Sequence, residues 1–246
     1  MMRLLLNADL GEIDDPILDV EHRVMPYIDM ANIACGGHAG NARTMAATLA
    51  IAAQHGVAVG AHPGYEDREN FGRVSRPHDR ETLTRLISRQ FDTLSQQAAA
   101  TGLEIEYIKP HGALYNDMMA NEDIRLTLLS LIATLPRRPR LVLLATPNAH
   151  KHREEAEKFG IELLFETYAD RCYGDDGLLL PRSMPDAVHH HRRALEQVQQ
   201  LREEGAVTSV SGKRIAIEAQ TLCIHGDSPD SVAALAAIHQ IIHRRS

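Results

Sequence analysis

The sequence predicts an α/β protein built on a parallel sheet, and three observations carry that reading. Short apolar runs recur seven times, several without polar alternation, as strands buried on both faces require. Amphipathic helical patterns lie between them. Gly56, Gly102 and Gly160 each stand between a helical pattern and the next apolar run, where a left-handed helix cap is wanted. Helix, glycine, strand, polar tip, helix is the order of βα units, whose right-handed crossovers make a parallel sheet.

The first run, LLLN (4–7), leads to Asp9 and Glu12, and the second, MANIAC (30–35), to Cys35, Gly36, Gly37 and His38. VAVGAH (57–62) ends on His62. A long helix follows, capped by Asp79, with Leu83, Leu86, Ile87, Phe91 and Leu94 in one stripe. IEYIK (105–109) runs straight into Lys109, Pro110 and His111, a stiff turn that aims a cation and an imidazole. LVLLAT (141–146) passes to Thr146-Pro147, which read as a helix start. ELLFE (162–166) is followed by Asp170 and Arg171. SMPDAVHHHRRALEQVQQL reads as a helix capped by Ser183, with Pro185 in its first turn, Asp186 at capping-box spacing, His189, His190 and His191 within it, and Val188, Leu195, Val198 and Leu201 on one face. Residues 205–217 break the rhythm as a β-hairpin insertion (near 206–217) that turns at Ser211-Gly212. The last run, TLCIH (221–225), leads to His225 and Asp227, and Ser228-Pro229 open the final helix. No linker divides the chain, so a single domain over 1–246 is expected. Seven strands suit an open doubly wound sheet or a closed, irregular barrel.

Composition narrows the function. The 246 residues carry a net charge of -7, which argues against nucleic acid or an anionic membrane as the main partner. No stretch approaches ~18 apolar residues, and the opening leucines are too short for a secretory signal, so a cytoplasmic protein is expected. The three cysteines have no CxxC spacing, and Cys35, buried by pattern, is a poor nucleophile. There is no GxxxxGK[ST] loop and no GxGxxG after the first strand, so the chain has no visible means of using a nucleotide by itself.

In either architecture a ligand site lies beyond the carboxyl ends of the strands. Those ends carry Asn7, Asp9 and Glu12; Cys35 and His38; His62; Lys109 and His111; Glu166, Asp170 and Arg171; and His225 and Asp227. Acids and bases delivered independently to one rim point to acid–base chemistry. Asp9 with His38, His62, His111 or His225 also suits a divalent metal such as zinc, although no local spacing supports one.

NADLGE (7–12), ANIACGGHAG (31–40), GAHPGYEDRENFGR (60–73), KPHGALYN (109–116), YADRCY (168–173), DGLLLPR (176–182) and TLCIHGDSP (221–229) together resemble the LamB/YcsF family, in the family's order and from end to end. The resemblance implies a seven-stranded β/α barrel of the glycoside hydrolase/deacetylase type. It implies ATP-dependent opening of 5-oxo-L-proline to L-glutamate, with ATP as co-substrate of a complex in which the 5-oxoprolinase subunits B and C carry the activation and this chain the lactam hydrolysis. In that chemistry Asp9 with His38 or His62 would activate water, and His111 would protonate the ring nitrogen. Lys109 and Arg171 would hold phosphate and the substrate carboxylate, with Asn7, Asp170 and His225 also at the binding site. A metal, if held, would take Asp9, His38, His62 and His225. Competing expectations are a metal-dependent deacetylase or amidase that needs no ATP, and a non-catalytic substrate-binding subunit. Two departures from the family's pattern stand out: IDDPILDVEH after Glu12, and Gly37 where the family has an aromatic, a loss expected to enlarge or reshape the pocket.

Overall fold

In the computed structural model, which describes residues 4–13, 19–182, 184–224 and 229–243, helices surround a closed ring of parallel strands. The chain runs through β1 (Leu5–Leu10), α1 (Asp19–Val24), a 3₁₀ turn (Met25–Tyr27), β2 (Met30–Ala34), α2 (Ala42–His55) and β3 (Ala58–His62). It continues with α3 (Arg80–Ala100), β4 (Ile105–Ile108), α4 (Gly112–Ala120), α5 (Glu122–Thr134), β5 (Arg140–Leu144), α6 (Ala149–Glu157) and β6 (Leu163–Tyr168). α7 (His191–Glu204), the hairpin strands β7 (Ala206–Thr208) and β8 (Arg214–Ala216), β9 (Thr221–Cys223) and α8 (Pro229–His243) complete it. The barrel order is β1-β2-β3-β4-β5-β6-β9, so the expected seven-stranded barrel is closed, and β7-β8 form the separate hairpin.

The pleat sorts each strand's residues. Outward positions such as Leu6, Ala8, Ile33, Ala61, Ile108, Leu143 and Phe165 pack in the main core beneath the helices. Inward positions grade in polarity. Met30, Tyr107, Val142 and Leu164 form a small apolar plug with Leu5 and Ala58 against it. Two residues further along their strands stand Asn7, Asn32, Lys109 and Glu166, all buried. Asp9, His62 and Tyr168 follow at the open end. β1 and β6 run longer than their apolar runs, because Asn7, Asp9 and Glu166 find partners inside the barrel and continue the ladder.

The helix ends behave as their sequences dictate. Asn41 caps α2 in a reciprocal capping box with Thr44, and Asp79 accepts from the Thr82 amide at 2.7 Å. The α3 stripe Leu83, Leu86, Ile87, Phe91 and Leu94 is buried. Ahead of α6, Thr146 accepts from the Asn148 amide at 3.2 Å, while the Asn148 side chain makes no cap bond.

One helix starts later than its sequence suggests. α7 begins at His191, not at 184; Ser183 lies outside the described residues, and Asp186 has a positive φ of 60°. His189 precedes the helix, and Val188 pairs with Arg171 in an antiparallel bridge. The reason is tertiary. Gln197 on α7 donates to the carbonyls of Tyr168, Ala169 and Arg171 at 2.8, 3.2 and 2.9 Å, so the chain after β6 is drawn over the barrel mouth as an extended loop.

Tyr107 fits inside the barrel only because its neighbour on β3 has no side chain. A Cβ on Gly60 would stand 2.1 Å from the Tyr107 ring. Gly60→Ala is therefore expected to destabilise the fold by about 1–3 kcal/mol through overpacking. Urea denaturation checks this, and Gly60→Ala with Tyr107→Leu should recover much of the loss.

Candidate active site

The floor of the site is a charged layer inside the barrel. The Lys109 ammonium, 2% exposed, lies 3.1 Å from Asp9 Oδ1, 3.1 Å from Glu166 Oε2, 3.2 Å from Asn7 Oδ1 and 3.1 Å from Cys223 Sγ. Asn32 donates to Asn7 and to Asp9, each at 2.7 Å, and Asn7 donates to Thr221 at 2.8 Å. Tyr168 donates to the other oxygen of Glu166 at 2.9 Å. Burial alone would lower the Lys109 pKa, but the surrounding anions, Asp9 foremost, hold it well above the ordinary lysine value.

Above this floor Glu12, His38, His62 and His111 converge from the ends of β1, β2, β3 and β4, their potential ligand atoms within 4.8 Å of one another. Glu12 Oε1 stands 3.1 Å from His38 Nε2, 3.4 Å from His111 Nδ1 and 3.8 Å from His62 Nε2. The far nitrogens of two rings are fixed by main chain: His62 Nδ1 donates to the Lys109 carbonyl at 2.7 Å, and His111 Nε2 to that of Phe71 at 2.9 Å. These bonds assign the tautomers. They leave His62 Nε2 and His111 Nδ1 facing each other at 2.9 Å, two lone pairs that need one positive particle between them. A proton meets that need. Burial would lower the His62 pKa, but the carboxylates of Asp9 and Glu12 raise it above the ordinary histidine value, while burial and the charge of His62 push His38 and His111 well below theirs. A metal ion meets it too, since ligands placed tetrahedrally about 2.0–2.1 Å from a zinc-class ion stand roughly 3.3–3.4 Å apart. His38 turns its Nε2 to Glu12, while its Nδ1 lies toward Gly64, buried without a hydrogen-bond partner.

The loop after β3 presses the nest together. His38 and His111 stack with ring centroids 3.6 Å apart, and Phe71 meets both edge-on. Phe71 holds a left-handed backbone, φ 54°, which aims its carbonyl at His111. A Cβ on Gly72 would stand 2.7 Å from His38 Cβ, so only glycine lets the loop approach that closely.

The nest opens into a cavity of about 690 Å³. Asp9, Glu12, His62, Lys109, His111 and Tyr168 line its polar end; Arg73, Arg171, Arg182 and the segment Leu178–Pro181 line much of the rest. The expected residues thus divide. Asp9, His62, His111, Lys109 and Arg171 reach the cavity. His38 lies buried against His111, and Asn7 is spent on the floor network. Asp170 is buried and is not among the lining residues. His225 and Asp227 lie outside the described residues. Among the described residues the group that could hold a metal is Glu12, His38, His62 and His111; Glu12 was not among the expected ligands, Asp9 turns its Oδ1 to Lys109 and Asn32, and the expected His225 lies outside the described residues. Cys35 donates to the Ile33 carbonyl, and burial pushes its thiol up to about 12. Glu12 and Glu166 stood at strand ends in the sequence, but nothing local marked them above the other acids. Phe71 carried no chemical signal, because its contribution is a backbone carbonyl.

Residues 4–246 match the LamB/YcsF family. The chain is 42% identical over 243 residues to the A-type subunit of 5-oxoprolinase from Vibrio campbellii, covering 98% of this chain and 96% of that one. It is 38% identical over 248 residues to the Pseudomonas fluorescens protein of the same name, covering 100% and 99%. The chain belongs to the LamB/YcsF family. Its barrel superposes on the crystal structure of the lactam utilization protein from Thermus thermophilus with a TM-score of 0.89 at 31% identity, covering 99% and 97% of the two chains.

Against the LamB/YcsF pattern, Gly37 does not leave a hole. A Cβ there would stand 2.4 Å from Oε1 of Gln90, a buried α3 side chain that fills the space and bonds both the amide (3.1 Å) and the carbonyl (2.8 Å) of Gly64. The expected enlargement is therefore cancelled at this point by a residue far away in sequence. Gly37→Ala should destabilise the protein by about 1–3 kcal/mol. In Gln90→Ala the same substitution should cost much less, a coupling that a double-mutant cycle of unfolding free energies measures.

Proposed function

We propose that this chain is the lactam-hydrolysing component of a 5-oxoprolinase complex, opening 5-oxo-L-proline to L-glutamate after partner subunits B and C have used ATP to activate it. The observation that carries the reading is the pairing of Asp9 with His62 at the polar end of the cavity, His62 Nε2 standing 3.5 Å from Asp9 Oδ2. Full-length similarity to proteins named as the A-type subunit of 5-oxoprolinase supports 5-oxoproline as the substrate. No described helix is long and apolar enough to cross a membrane.

A lactam resists water because its nitrogen lone pair stabilises the carbonyl. Phosphorylation of the amide oxygen removes that protection. Water then adds to the activated carbon and gives up a proton, and the C–N bond breaks as the nitrogen takes one; the acyl phosphate so formed is hydrolysed by a second water, releasing inorganic phosphate and leaving the carboxylate of glutamate. Asp9, its Oδ1 held by Lys109 and Asn32, is the base in this proposal, and protonated His62 the acid. Neutral His111, hydrogen-bonded to His62, takes up and returns the proton; a positioned acid–base group is typically worth about 10²–10⁴ in rate. His38 and Glu12 set the rings and the field around them.

A second reading, a metal-assisted amidase, is favoured by the spacing of Glu12, His38, His62 and His111. A divalent ion held there would polarise a carbonyl or phosphoryl oxygen as a Lewis acid.

Glutamate release from 5-oxoproline and ATP, with and without subunits B and C, tests the proposal. The isolated chain should be silent and the reconstituted complex active. Asp9→Asn and His111→Ala should each lower turnover at least about tenfold with folded circular-dichroism spectra. ATP-independent turnover by the isolated chain, abolished by a chelator, would establish the metal-assisted reading instead.

A further inference from the structure

We propose that the cavity takes a 5-oxoprolyl group extended through its carboxyl by an apolar residue, as in a 5-oxoprolyl peptide, and that Met119, Leu144 and Leu178 form the subsite for that residue. The inference rests on the reading of this cavity as the lactam site and names a larger ligand for it.

The cavity is too large for free 5-oxoproline. A five-membered lactam with one carboxylate occupies on the order of 120 Å³ at ordinary packing density. The cavity holds about 690 Å³, the size of a site for a drug-sized ligand. A phosphoryl group on the lactam oxygen would fill only a small part of the difference.

The unfilled part has an apolar wall. β1, β3 and β4 bring Asp9, His62 and Lys109 to the cavity, whereas β5 ends there on Leu144. Met119 and Ala120 at the end of α4, and Leu178, Leu179 and Leu180 in the segment after β6, line the cavity as well. β4, β5 and β6 are neighbours in the ring, so these side chains share one side of it. Leu178 is 44% exposed although it lines the cavity, and Met119 is half-buried. Covering such surface with an apolar ligand group is favourable in proportion to the area removed from water. The wall is also built in advance. Gln197 holds the chain after β6 through the Tyr168 and Ala169 carbonyls, and Arg171 holds the Leu180 carbonyl. A wall fixed before the ligand arrives spares the cost of ordering it on binding.

The shape of the lactam gives the extension its direction. In 5-oxoproline the carboxyl group stands on the ring carbon across the nitrogen from the carbonyl. With the carbonyl at Asp9 and His62, a residue joined to that carboxyl leads away from the nest, and the rest of the cavity receives it. Opening the ring of such a compound takes up one water and leaves a glutamyl residue with a free amine.

Calorimetric titration of the purified chain with 5-oxo-L-prolyl-L-leucine, 5-oxo-L-prolyl-glycine, acetyl-L-leucine and 5-oxo-L-proline tests this. The first two share the lactam, the amide and the terminal carboxylate, and differ only by an isobutyl group. The leucine compound should bind at least tenfold more tightly, as burial of that group requires. Met119→Gln and Leu178→Gln, both at partly exposed positions, should each cut this preference at least threefold and leave the affinity for the glycine compound unchanged. Acetyl-L-leucine bound as tightly as 5-oxoprolyl-leucine, with the same loss in both variants and no binding of the glycine compound, would uphold the apolar subsite and defeat the lactam reading. The proposal is overturned if the leucine compound binds no more tightly than the glycine compound, if both folded variants keep the preference, or if the wild type binds neither dipeptide. Binding of free 5-oxoproline in any of those cases would leave the lactam reading standing.

Discussion

A lysine ammonium inside the barrel holds the rest of this site in place. Lys109 ends β4 pointing inward, where it meets carboxylates from β1 and β6, an amide from β1 and a thiol from β9. The partners come from three strands, β1, β6 and β9, so the charge network forms only when the barrel closes in this register. Removing one member of such a cluster would leave a buried charge uncompensated, typically at about 3–5 kcal/mol. The same contact turns Asp9 so that one oxygen faces Lys109 and the other His62.

The nest above that floor depends on main chain as much as on side chains. Two carbonyls, of Lys109 and Phe71, decide which ring nitrogens of His62 and His111 face inward. Burial then makes three imidazoles compete for positive charge, and Asp9 and Glu12 settle it on His62. This is an arrangement built to hold one mobile cation, whether proton or metal, next to a cavity. The strained Phe71 and the close approach of Gly72 are the structural cost of compressing the loop after β3 against these rings.

The cavity is asymmetric for a topological reason. The segments that follow β1 to β4 bring acids and imidazoles to one side. The chain after β6 is long and folds back as a loop pinned by Gln197 and Arg171, which brings apolar surface and guanidinium groups to the other.

The sequence by itself determined the seven strands, the hairpin, the Asp79 cap and the strand ends that carry Asp9, His38, His62, Lys109 and His111. Those features rest on local pattern: apolar runs, a capping Asp79, glycines at 56, 102 and 160 with φ of 64°, 73° and 64°. Tertiary structure alone decided the closure of the barrel from its strands, the late start of α7, the inclusion of Glu12 in the nest and the filling of Gly37 by Gln90. Each of these depends on a partner distant in the chain. The helical signal at 184–190 lost to bonds from Gln197, and the space above Gly37 belongs to a residue on another element. Local propensity is set by neighbours in sequence, whereas ring closure, tautomer and occupied volume are set by neighbours in space.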